Sequence, residues 1–301
     1  MSTKKTFLAD IDVIFISYDE ANAESNWANL NNQVPWAKRS HGVHGSDAAH
    51  KAAANLSDTE WFIGIDGDNI IEQDLFNESL DLDPNILCYS WRSYNVVNGL
   101  IYGNGGIKLW NKQGVLNMKS HENAITDNPG DQIEFCWDGN YLQMHNIYSK
   151  TLPNGSPYQA WRAGFREGVK LALNRGNRVS RADELNEFNR KNLEIWYSIG
   201  ADVENGYWAM LGARQGTYET LCTTWDYINV RDFNWLLNKW ESVKTLNPAE
   251  DMLKYTTPLA NLGFDVQDYT PTQSYFFKKH QYKPSKVEIN ARENYIGKRF
   301  F

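Results

Sequence analysis

The chain has 301 residues, 42% of them hydrophobic, and a formal net charge of −7. This length and apolar content support a sizeable core and exclude general disorder, whereas the acidic balance gives no long-range attraction for nucleic acid. The three cysteines are scattered without a Cys-x-x-Cys pair, which indicates neither a disulfide framework nor a zinc cluster and favours a cytoplasmic protein.

Strand and helix patterns alternate over the first 110 residues. The N-terminal apolar stretch is interrupted by Asp10 and Asp12, so it does not predict a signal peptide, and no run is long enough to predict a membrane span. Ser46 or Asp47 begins a predicted helix that runs to residue 54. Strands are predicted at 11–17, 61–65, 86–91 and 100–110. This alternation predicts an α/β fold with a mostly parallel central sheet flanked by helices.

The second half of the chain has helical periodicity. Ser156 and Pro157 indicate a helix start, and helices are predicted at 158–173, 186–199, 206–221 and 233–243. The stretch from residue 270, TPTQSYFFKKHQYKP, is aromatic and basic without a clear period, so we expect an extended arm or lid there. We predict a catalytic α/β domain over 1–175 and a helical C-terminal region with this arm over 176–301.

The clearest chemical motif is Asp66-Gly67-Asp68, which directly follows the predicted strand WFIGI. Ligands of α/β sheets gather at the carboxyl ends of strands, and two carboxylates one residue apart on a turn can converge on one hard cation. Gly67 lets the backbone bend and leaves space for a phosphate. These residues predict a Mn²⁺ or Mg²⁺ site.

In four segments the chain resembles the GT-A glycosyltransferases, whose enzymes transfer sugars from nucleotide sugars. IDVIFISYDE resembles their first strand, and KRSHGVHGSDAAHKAAANLSDTEWFIGIDGDN resembles their glycine-containing turn, helix and metal-binding D-x-D strand. LIYGNGGIKLW looks like the strand and turn that line their sugar pocket, and TDNPGDQIEF is similar to their acidic helix start. The resemblance implies a Rossmann-like GT-A fold, a UDP-sugar donor and a glycan, lipid-linked or other hydroxyl acceptor.

The resemblance also implies roles for particular residues. Asp66 would contact the ribose and the metal, Asp68 would bind the metal, and His145 would be a third metal ligand. Asp131 or Glu134 would face the acceptor hydroxyl and act as general base in an inverting enzyme. The remaining implied contacts are Ser17, Tyr18 and Asp19 in the nucleoside pocket, and Gly105 and Gly106 beside the donor sugar.

Three cationic side chains are candidates for phosphate binding. Arg162 and Arg166 lie one helical turn apart and would reach the donor diphosphate or an anionic acceptor in bidentate fashion. The alternative is a solvated basic face paired with acidic neighbours. Lys51, on the helix before the D-x-D strand, leaves the same two alternatives open.

Two other functions fit parts of the pattern. A haloacid-dehalogenase-type phosphatase would use Asp66 as nucleophile and Asp68 as acid, although Asn69 and Ile70 depart from the residues that follow its motif. A non-catalytic carbohydrate-binding protein would explain the 12 Trp and 16 Tyr, but such modules are usually all-β.

Overall fold

Seven strands form the central sheet of the computed structural model, which describes residues 5–124 and 140–280. The strands in these residues are β1 Thr6–Phe7, β2 Asp12–Ser17, β3 Lys38–His41, β4 Trp61–Asp66, β5 Asn69–Ile71, β6 Ser79–Leu80, β7 Cys88–Asn95, β8 Ile101–Asn111, β9 Tyr141–Thr151, β10 Leu173–Asn174 and β11 Asn177–Arg178. The order in the central sheet is β3-β2-β4-β8-β7-β9-β5, and the four remaining strands form two small pairs.

The central sheet is mixed, so the prediction of a mostly parallel sheet is wrong. Strand β2 pairs in parallel with β3 and β4, and β7 pairs in parallel with β9. The pairs β4/β8, β7/β8 and β5/β9 are antiparallel. The link between β7 and β8 contains only residues 96–100, and a connection this short joins antiparallel neighbours. The parallel strands that the sequence predicts are therefore limited to part of the sheet.

Helices cover both faces of the sheet. Helix α1, Ala23–Gln33, packs Leu30 on the layer that contains Val13 and Ile63. Helices α2, Ser46–Leu56, and α3, Lys112–Asn117, cover the opposite face. Because successive residues of a strand point to opposite faces, apolar runs such as WFIGI bury both sides of β4. The fold is therefore mixed α/β, as the sequence predicts.

The second half is built on two helices in close contact. The helices are α4 Pro157–Leu171, α5 Glu187–Ser198, α6 Gly206–Cys222, α7 Phe233–Val243, α8 Pro248–Asp251, α9 Thr256–Asn261 and α10 Pro271–His280. A Cβ atom on Gly164 of α4 would lie 1.9 Å from the Ala209 carbonyl oxygen of α6, so only glycine permits this approach. Helix α4, which we predicted to lie in the first domain, thus packs along the helical half.

Helix α10 replaces part of the predicted extended arm, which is wrong for residues 271–280. Thr270 and Gln273 form a reciprocal cap: Thr270 N donates to Gln273 Oε1 at 2.9 Å, and Gln273 N donates to Thr270 Oγ1 at 3.3 Å. With Pro271 in the first turn, these residues start a helix despite its weak apolar period. Among residues 5–124 and 140–280, no helix has the length and apolar character needed to cross a membrane.

Candidate functional site

The carboxyl ends of three parallel strands open into one cavity. Strands β2, β3 and β4 lie side by side and run in the same direction, so the residues that follow them reach one edge of the sheet. A cavity of about 1110 Å³ lies there and extends to the helical half. Most residues predicted for the site line it: Ser17, Tyr18, Asp19, Asp66, Gly67, Asp68, Gly106, Arg162 and Arg166.

Asp66, the last residue of β4, forms an ion pair with Lys108 of β8. Lys108 Nζ lies 3.0 Å from Asp66 Oδ2, and the lysine side chain is 8% exposed. Burial acts against the charge of the ammonium group, but the Asp66 carboxylate outweighs this effect and raises the pKa of Lys108. Asp66 therefore has a fixed positive partner within the protein.

Asp68 has a different electrostatic environment. Its Oδ1 accepts a hydrogen bond from Asn69 Nδ2 at 2.8 Å, and the Asn69 side chain is held in turn by Thr151. Burial, reinforced by the negative charges of Asp66 and Glu20, raises the pKa of Asp68 from 3.8 to about 7. A divalent cation would supply the positive charge that this carboxylate needs.

Two glycines make room for side chains around this turn. A Cβ atom on Gly67 would lie 2.8 Å from Glu20 Oε2 and 2.9 Å from Ser17 Cβ, so the absence of a side chain lets these two residues pack close to the turn. A Cβ atom on Gly106 would lie 2.0 Å from Asn69 Nδ2. Gly106 thus accommodates the Asn69 amide and also lines the cavity, and its predicted place beside the donor sugar stays a prediction.

The residues after β2 differ in how far they are available to a ligand. Ser17 is buried, and its hydroxyl accepts a hydrogen bond from Arg39 Nε at 3.2 Å and lies 2.9 Å from His41 Nδ1. Tyr18 is 45% exposed, and its ring meets the ring of His44 edge-on at 6.0 Å. Tyr18 and His44 therefore present an open aromatic surface on the cavity wall, whereas the Ser17 hydroxyl is engaged inside the protein.

Helix α4 supplies a basic wall. The Arg162 guanidinium lies over the rings of Tyr158 and Phe233, and that of Arg166 also lies over Phe233, at 4.9–5.2 Å. Arg162 NH1 is 3.8 Å from Asp19 Oδ1, which makes a long ion pair. The aromatic rings hold the two guanidinium groups at the cavity, where both can meet an anion.

Lys51 does not line the cavity. Its Nζ lies 2.6 Å from Asp47 Oδ2, one turn earlier in α2, and the Asp47 side chain is almost fully buried. Asp47 Oδ1 also accepts hydrogen bonds from Ser120 N and Oγ. Of the two alternatives for Lys51, the structure shows pairing with an acidic neighbour.

His145 is also outside the cavity lining. It lies in β9, six positions before Thr151, the residue of β9 that reaches the cavity, and six steps along a strand span up to about 20 Å. The structure does not bring it to Asp66 and Asp68 as a third ligand would require. Asp131 and Glu134 lie outside the described residues, and of Gly105 only its place in β8 is described.

Two charged residues of the site, Glu20 and Lys108, were not predicted from the sequence. Glu20 accepts a hydrogen bond from the Tyr18 amide at 2.8 Å and lines the cavity beside Gly67. Lys108 had a visible signal, because it is a single charge inside the apolar run IKLW. Its partner Asp66 is 42 positions away, so the pairing itself could not be inferred from spacing.

Asp66 and Asp68 fit the small ligand set of a metal site that a bound substrate would complete. In the described part of the chain, no three His, Cys, Asp or Glu side chains are placed to hold a metal together. Two carboxylates such as those of Asp66 and Asp68 are nevertheless a common protein ligand set for Mg²⁺, because water and substrate phosphates supply its other ligands. These two residues would hold the cation, and ligand oxygens would fill the remaining positions.

Comparisons of the chain with family models, with curated proteins and with solved structures found no match in any of the three. The function is therefore inferred from the charged residues that line the cavity.

Proposed function

We propose that the protein is a glycosyltransferase that moves a sugar from a nucleoside diphosphate sugar, by default a UDP-hexose, to an acceptor hydroxyl with Mn²⁺ or Mg²⁺. The observation that carries the proposal is Asp68, a carboxyl group that follows the end of β4, lines a cavity together with arginines, and has its pKa raised to about 7. A diphosphate bound with a divalent cation fits both features, because the cation pairs with the Asp68 carboxylate and the phosphates pair with the arginines.

The distribution of charge supports a diphosphate ligand. Glu20, Asp66 and Asp68 lie at the strand ends, and Arg162 and Arg166 lie on α4. Two like unit charges 4 Å apart repel by about 4 kcal/mol at an effective dielectric constant of 20, so a bare diphosphate beside Asp68 is disfavoured. A divalent cation removes this repulsion, and the guanidinium groups bind phosphate oxygens.

The same groups suit the chemistry of glycosyl transfer. When the bond between the anomeric carbon and the phosphate oxygen breaks, its electron pair stays on the diphosphate. A cation held by Asp66 and Asp68 would neutralise this developing charge, and Arg162 and Arg166 stabilise it by hydrogen bonding. The acceptor proton needs a base in an inverting reaction, for which Asp131 and Glu134 remain the predicted residues.

The size of the cavity supports a second substrate. Small-molecule sites are typically about 300–1,000 Å³, and this cavity of about 1110 Å³ exceeds that range. Its lining extends from the strand ends to Phe188 and Leu237, apolar side chains of the helical half that are 42% and 49% exposed. An acceptor bound there would share the cavity with the donor, as transfer requires.

The test is a thermal-unfolding screen of nucleotide sugars with and without Mn²⁺. A ligand at 100 times its Kd stabilises the fold by about 2.7 kcal/mol. We expect a UDP-sugar to stabilise the wild-type protein and the exposed control Asp81→Asn when Mn²⁺ is present, and to lose this effect in Asp68→Asn. Slow turnover without acceptor should then release UDP and free sugar.

Two outcomes would contradict the proposal. Release of phosphate from an aryl phosphate, lost in Asp66→Asn, would favour the phosphatase. Tight glycan binding without turnover of any nucleotide sugar would favour a carbohydrate-binding protein.

A further inference from the structure

Lys108 is a charged residue in an apolar layer. It lies in β8 between Ile107 and Leu109, which are fully buried in the layer beneath α1. Because side chains alternate along a strand, Lys108 points to the opposite face. The apolar cluster on that face includes Phe62 and Trp110. An apolar side chain would therefore suit this position of the sheet.

Stability alone does not account for the lysine. A buried ion pair is often no more stabilising than well-packed apolar residues of similar volume, because both charges must be desolvated. In the Lys108–Asp66 pair only the lysine is buried: its side chain is 8% exposed, whereas the side chain of Asp66 is 39% exposed. A buried ammonium group beside an accessible carboxylate indicates a role in binding.

The ammonium group has unused hydrogen-bonding capacity. It carries three N–H donors, and Asp66 Oδ2 is its one hydrogen-bond partner among the residues that the structure describes. Lys108 also lines the cavity, next to the turn that carries Asp68. A buried cation with spare donors on a cavity wall is suited to an anionic oxygen of a ligand.

We infer that Lys108 binds a phosphate oxygen of the donor diphosphate, alongside the cation that Asp68 would hold. The inference rests on the proposed function. When the sugar–phosphate bond breaks, the electron pair remains on the diphosphate, and Lys108 compensates part of that charge while keeping its own proton. Asp66 then serves to hold the ammonium in place as well as to approach the metal.

The pairing also gives the two carboxylates different roles. Asp66 forms an ion pair with Lys108, whereas Asp68 forms no ion pair with the residues that the structure describes. The diphosphate would therefore contact two positive charges: the metal ion, which can dissociate, and Lys108, which is part of the sheet.

The experiment compares binding of UDP and uridine by calorimetry with Mn²⁺ in four proteins: wild type, Lys108→Met, Lys108→Arg and Lys112→Met. Lys112 is the matched control, since its Nζ donates to the Ser57 carbonyl at 2.6 Å and it does not line the cavity. We expect Lys108→Met to weaken UDP binding by about ten- to a hundredfold, the value of a charged hydrogen bond, and uridine binding by less than about threefold.

Lys108→Arg keeps the role of Lys108 testable if Lys108→Met does not fold. It keeps a positive charge beside Asp66 but moves the donors, so we expect it to fold and still to lose more affinity for UDP than for uridine. Equal losses for UDP and uridine, or unchanged UDP binding in both variants, would overturn the role of Lys108 and leave the proposed function standing. Absence of UDP binding by the wild-type protein would reject both.

Discussion

Replacing Asp68 with asparagine should stabilise the metal-free protein at high pH while removing its function. Partial burial, together with the nearby negative charges of Asp66 and Glu20, raises the pKa of the Asp68 carboxyl from 3.8 in the unfolded chain to about 7 in the folded protein. Between these pH values the folded state holds a proton that the unfolded state has lost. Folding stability therefore falls as the pH rises through this window, and it stays reduced above pH 7.

The size of the effect follows from the two pKa values. At about 1.36 kcal/mol per pKa unit, a difference of about 3 units corresponds to about 4 kcal/mol at most. Asp68 is partly accessible to solvent, so screening and relaxation reduce this figure, and we expect a gain of about 1–2 kcal/mol for Asp68→Asn at pH 8. The asparagine Oδ1 can still accept the hydrogen bond from Asn69.

The assay is urea unfolding with a chelator at several pH values between 4 and 8. The stability difference between Asp68→Asn and wild type should be largest at pH 8 and shrink toward pH 4. The exposed control Asp81→Asn should show no such trend. An Asp68→Asn protein that is less stable than wild type at pH 8, or equally changed at every pH, would refute the electrostatic account of this residue.

Three further predictions concern the lining of the cavity. Because Lys108 already neutralises part of the charge of Asp66, the affinity for Mn²⁺ alone should be at least about tenfold lower than the affinity for Mn²⁺ in the presence of UDP, and Mn²⁺ should strengthen UDP binding by the same factor. Calorimetry measures both affinities. Equal Mn²⁺ affinities with and without UDP would contradict the prediction. Arg162→Ala should weaken UDP binding by about tenfold or more, whereas Lys51→Ala, which loses only the contact to Asp47, should change it by less than about threefold. Gly106→Ala should reduce the urea-unfolding free energy by about 1–3 kcal/mol, because its Cβ would overlap the Asn69 amide, and an unchanged value would show that the turn adapts.

The local parts of the fold were predictable because their signals lie close together in sequence. The apolar run WFIGI predicts β4, and Ser156 with Pro157 predicts the start of α4, where Ser156 Oγ accepts a hydrogen bond from Gln159 N. The mixed sheet was missed because strand direction depends on pairing. Helix α10 was missed although its Thr-Pro-Thr-Gln start is a local signal, since its apolar residues lack a strong period.

The residues of the site likewise divide into those with a local sequence signal and those brought in by strand pairing. Asp66 and Asp68 follow a strand directly, so their place at the carboxyl edge of the sheet was predictable. Lys108 comes from a neighbouring antiparallel strand whose register places it opposite Gly64, and no spacing rule connects it with Asp66. His145 was expected at the metal from the resemblance, but the length of β9 keeps it away from the strand ends.

The most direct test of the central claim is diffraction at the manganese absorption edge from crystals grown with Mn²⁺ and UDP. The account predicts an anomalous peak within about 2.6 Å of an Asp68 carboxylate oxygen, the upper limit of the Mg²⁺ and Ca²⁺ ligand distances, and within the same distance of oxygens of the UDP diphosphate in the cavity between β4 and α4. A manganese peak away from Asp68, or UDP bound outside this cavity, would contradict it.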